Sequence, residues 1–151
     1  MALTESSKVI LTNTIKDWTK FAVERERLTL AANELNVITR RVVQECLAFL
    51  KAQNIDVQCE SPDEMKILGV VVHIDPLIDA TFPTVKASVV LRCSGSTRAV
   101  LVNSNMTISA GGTVVTFDEL KRSIPAAFAT NAADFVRDSF LYVARTGGKE
   151  E

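Results

Sequence analysis

His73 is the one histidine of the chain, so any mechanism that moves a proton through an imidazole near neutral pH must use it. It stands in Val72-His73-Ile74-Asp75, where the two-residue period of a strand would put His73 and Asp75 on one face. A base oriented by a carboxylate is the first half of a nucleophile-activating array, and Cys93 or Ser94 offers a nucleophile. Nothing in the spacing ties either of them to His73, and the nucleophile-elbow motif is missing. His73 and Asp75, beside the Leu77–Phe82 stretch, are therefore read as a candidate ligand pocket, and no catalytic residue is assigned.

Other chemistry finds less to work with. Cys46, Cys59 and Cys93 are far apart and none belongs to a Cys-x-x-Cys pair, so neither a zinc knuckle nor a redox dithiol is signalled. The carboxylates are scattered, without the spacing of a calcium loop. Gly111-Gly112 precedes a strand-like segment and not a helix, so it reads as a turn and not as a phosphate cradle. No metal and no cofactor is expected.

Arg92 and Arg98 bracket Ser94-Gly95-Ser96-Thr97, an arrangement that in a hairpin could clamp an anion or an acidic partner surface. With Lys86, they are the candidate partner-binding residues. The chain carries 17 basic and 18 acidic residues, for a net charge of −1. A general nucleic-acid binder needs a larger excess of cations to neutralise phosphates, so nucleic acid is not an expected partner. The alternative that survives is a local basic patch, assembled across a dimer from Arg40, Arg41, Lys121 and Arg122.

The elements that must position these residues follow from the breakers. All six glycines and four prolines lie beyond Ser61. The preceding stretch, from about Thr14 to Gln53, has apolar residues at three- and four-residue steps and reads as one long helix. At 1.5 Å per residue it would be ~60 Å long, against a diameter of ~40 Å for a compact domain of this size. Such a helix either breaks near Arg25–Thr29 or lays its overhang on another subunit. Trp18 and Phe21 argue for the second outcome, since a free helix would expose both. Trp18, Phe21, Leu28 and Leu35 are accordingly the candidate oligomer interface.

Beyond it the period changes to two. Ile55–Cys59 reads as an edge strand, Met65–Asp75 as a central strand and Asp75–Pro83 as a loop. Thr84–Cys93 alternates cleanly and returns through Arg98–Val102. Thr116-x-x-Glu119 is a capping box for a short helix, and Pro125 opens a last helix that runs to about Arg145. The expected fold is α+β: a long N-terminal helix, an antiparallel meander of about five to six strands, and short and C-terminal helices packed on one sheet face. Residues 1–151 are read as a single domain, with a helical arm (1–53), a sheet (54–116), helices (117–146) and a flexible tail (147–151).

No apolar run approaches the ~18 residues of a membrane span, and the polar N-terminus is not a signal peptide. A cytoplasmic, homo-oligomeric protein is expected, most simply a dimer. Its function is read as non-enzymatic binding of a protein partner, in the manner of an adaptor or inhibitor. The alternatives are nucleic-acid binding by the basic patch, and a ligand site or enzyme centred on His73 and Asp75.

Overall fold

The computed structural model describes residues 2–147. Helix α1 spans Glu5–Ala52, 48 residues without a break, or ~72 Å. It starts nine residues before the expected boundary. The cap is Thr4, whose hydroxyl accepts from the Ser7 amide at 3.1 Å. Thr14 lies inside the helix and donates back to the Ile10 carbonyl, so the Thr14–Asp17 pattern is not a cap. The helix is also continuous through Arg25–Thr29. With no glycine or proline in the segment, no residue there lowers the cost of a kink.

Eight strands follow among the described residues: β1 (Val57–Ser61), β2 (Glu64–Ile67), β3 (Val70–Val71), β4 (His73–Thr81), β5 (Thr84–Cys93), β6 (Ser96–Val102), β7 (Thr107–Ala110) and β8 (Thr113–Thr116). They form two antiparallel sheets in sequential order, β1-β2-β3 and β4-β5-β6-β7-β8. Helix α2 is Phe117–Arg122 and α3 is Ala126–Thr146. The Thr116 hydroxyl accepts from the Glu119 amide, as the capping box requires, and Pro125 stands at the N-cap position of α3 without a side-chain cap. The fold is α+β.

Two assignments in the strand region need correction. Met65–Asp75 is not one central strand. It contains a hairpin at Leu68-Gly69, where both residues have positive φ, the backbone that tight hairpin turns demand. The stretch looked apolar on both faces because it serves two sheets in turn. Asp75–Pro83 is not a loop either. Strand β4 continues through it to Thr81, paired with β5 residue by residue. Pro76 is tolerated because β4 is the sheet's edge and this position faces away from β5.

The buried cluster runs through Leu28, Leu35, Val43 and Leu47 of α1, Ile67 of β2, Val89 and Leu91 of β5, Ile108 of β7 and Phe128 and Phe135 of α3. Helices α1 and α3 therefore cover one and the same face of the five-stranded sheet. The flexible tail expected at 147–151 lies beyond the described residues, apart from Gly147. That residue closes α3 in the left-handed conformation, at φ 70°.

Candidate functional site

The residues singled out from the sequence fall into three places. His73 and Asp75 do share a face of β4, and both are exposed. His73 faces Arg92 across the ladder, and Asp75 lies 3.5 Å from the Arg40 guanidinium. Cys93 belongs to the opposite face and is fully buried, so it is no nucleophile for His73. Burial pushes its thiol pKa up, against a hydrogen bond from Ser139. His73 and Asp75 sit on an open sheet face. Among the described residues no three His, Cys, Asp or Glu side chains converge to hold a metal.

The partner-binding set divides. Lys86 and Arg92 point away from the helices, on the outer face of the sheet. Arg98 does not. It pairs with Leu91, on the inner side, and its guanidinium reaches Asp138 at 2.9 Å and Asn131 at 3.3 Å on α3. The Arg98 bond, with a smaller contribution from Arg137, holds the Asp138 carboxyl below the usual carboxylate range. The expected clamp of Arg92 and Arg98 cannot form, because the one-residue shift at the turn sends them to opposite faces.

The outer face carries a feature that the linear pattern hid. Leu77, Ser88, Leu101, Ser109 and Val114 are successive ladder partners across all five strands. Leu77, Leu101 and Val114 are 56%, 49% and 61% exposed. The row alternates leucine or valine with serine across the sheet, and each strand contributes only one member. No single segment shows it.

The basic residues also separate. Arg40 is fixed at the sheet edge, donating to the Ile74 carbonyl, the Pro62 carbonyl and Asp63. Arg41, Lys121 and Arg122 line a groove of about 480 Å³ between α1 and α2, together with Glu34 and Glu45. Lys121 is 3.3 Å from Glu34. The patch is interleaved with carboxylates, and its net charge is small.

The proposed oligomer interface needs the largest revision. Phe21, Leu28 and Leu35 are 5%, 1% and 0% exposed within the single chain. Leu28 and Leu35 belong to the core cluster, and Phe21 is covered by Phe82 at the β4–β5 hairpin tip. Trp18 alone of the four is open, at 50%. It packs on Phe21 and on Phe82, at the tip of the β4–β5 hairpin, with ring centroids 5.3 and 5.9 Å away. Before Trp18 the helix leaves the sheet. Every residue from 8 to 20 is exposed, including Val9, Ile10, Leu11 and Ile15 at 57%, 65%, 50% and 63%.

No family model, curated protein or solved structure matches this chain. Among the described residues no helix is long and apolar enough to cross a membrane.

Proposed function

We propose that the chain is a non-enzymatic, self-associating protein that pairs through its helical arm and offers its outer sheet face to a protein partner. The reading rests on one observation above all: four large apolar side chains and a tryptophan exposed along the first five turns of a rigid helix. Scattered exposed hydrophobics are ordinary on a soluble protein, but Leu11, Ile15 and Trp18 share one face of a projecting element, and such a patch marks a contact site. The outer row of Leu77, Leu101 and Val114, flanked by Lys86 and Arg92, has the apolar centre and charged rim of a protein interface. Three free cysteines fit a reducing, cytoplasmic setting.

Light scattering at micromolar concentration should report twice the mass of the chain. A monomer there would remove the reading. Trp18 is the only tryptophan, so its emission should shift to the red on dilution as the arm becomes solvated.

A further inference from the structure

We infer that the occupant of the arm is the arm of a second copy, running antiparallel, with residue i facing residue 33 − i. The inference rests on the self-association proposed above and specifies its geometry. At about 100° per residue, Leu11, Ile15, Trp18 and Ala22 fall within ~60° of one another on the helix surface. This stripe lies about a quarter turn round from Phe21, which packs on Phe82 at the β4–β5 hairpin tip. Leu11 and Ile15 therefore stay available while the helix remains docked, and Trp18 keeps the half of its surface that Phe21 and Phe82 leave open.

The spacing of four, three and four residues is symmetric about its midpoint. Two such stripes laid antiparallel set Ile15 against Trp18, and Leu11 against Ala22, each layer occurring twice by the two-fold axis. The large rings meet a branched side chain, and the leucines meet alanines, so the layers fill without clash. Lys8 and Glu26, both exposed, lie about 50° to the same side of the stripe. In the antiparallel arrangement Lys8 is level with Arg25 of the other copy, but Arg25 lies on the far flank of the stripe. The neighbour of Lys8 on its own flank is therefore Glu26, ~1.5 Å farther along the axis, at both ends of the seam. In a parallel pair Lys8 of one copy and Glu26 of the other would instead lie ~27 Å apart along the seam and on opposite flanks. The arm cannot satisfy the stripe by folding back, because it belongs to one unbroken helix with the docked segment.

The test uses the full chain with Cys46→Ser, which removes the half-buried thiol. Residues 8 and 26 are ~27 Å apart on one helix, so a Lys8→Cys, Glu26→Cys chain cannot close a disulfide on itself. Oxidation should convert it to a covalent dimer, whereas neither single cysteine variant should cross-link. Lys8→Glu and Glu26→Lys should each weaken the dimer about tenfold, and the two reversals together should restore it. A wild-type dimer whose single variants cross-link, or whose double variant does not, overturns the antiparallel seam and leaves self-association standing. A wild-type monomer overturns both.

Discussion

The Arg40 guanidinium donates two hydrogen bonds to the carbonyl of Ile74, at 3.1 Å from Nε and 2.7 Å from its terminal nitrogen. Ile74 is in the edge strand β4, so this carbonyl has no strand partner on its outer side. One side chain from the middle of α1 thus closes part of the sheet edge, and through Asp63 and Pro62 it also ties down the β1–β2 turn. An exposed edge is a template for unwanted pairing, and a cation over it is one way proteins cover it.

Arg40→Ala should destabilise the protein by about 2 kcal/mol, since it strands charge-assisted bonds at a half-buried position. That corresponds to a loss of about 4–8 °C in thermal melting for a chain of this size. Arg40→Lys should recover less than half of it, because an ammonium cannot present the guanidinium's fork. A melting temperature unchanged in Arg40→Ala would show that the edge needs no such cover.

Leu35 and Trp18 should part company. Leu35→Ala removes a fully buried side chain and should cost about 2–5 kcal/mol in denaturant unfolding. Trp18→Ala should cost far less in unfolding, yet it should shift light scattering toward the monomer. The reverse pattern would place the tryptophan in the fold and the leucine in the interface.

Gly95 lies beneath Tyr142 of α3. A methyl group at residue 95 would come within 2.4 Å of the ring. Gly95→Ala should therefore displace the ring and destabilise by about 1–2 kcal/mol. In a Tyr142→Ala background the same substitution should be close to neutral, and a double-mutant cycle of equilibrium unfolding measures the coupling.

Asp138 sets an acid limit. Its carboxyl is held down chiefly by Arg98, with Arg137 adding to it, so its folded pKa lies below its unfolded one. The stabilisation is complete above the ordinary aspartate range of about 3.9, and it is lost as pH falls through the depressed value. Asp138→Asn should flatten the acid limb of stability against pH in that window and leave the limb above pH 7 unchanged. Melting curves from about pH 2 to pH 9 test this.

Burial raises the Cys93 thiol and, with help from Glu45, that of Cys46. Near pH 7.5 neither should react quickly with a thiol reagent, because the thiolate is the nucleophile. Cys46, half-buried, should be labelled before Cys93, which is wholly enclosed. Labelling rates measured by mass spectrometry on the native protein would show the order.

The sequence alone determined what depends on local chemistry. A long segment without glycine or proline and with a three-four apolar rhythm has little choice but helix. The Thr116–Glu119 box and Pro125 announced two helix starts, and the alternation of Thr84–Cys93 announced a strand. The length of α1 against the size of the domain implied an overhang, and an overhang there is. Its start was misplaced because Thr4 and Thr14 look alike as caps; docking onto the sheet begins only at Phe21, so nothing farther back in the pattern marked the boundary.

Tertiary structure decided everything that turns on which face a residue meets. Phe21 and Trp18 are three residues apart, yet the β4–β5 hairpin tip seals one and leaves the other half open. Arg92 and Arg98 bracket one turn and point to opposite sides of the sheet. The row from Leu77 to Val114 exists only because five strands line up in register. Side-chain period is a property of each segment, but the surface that a period reaches is set by its neighbours in space.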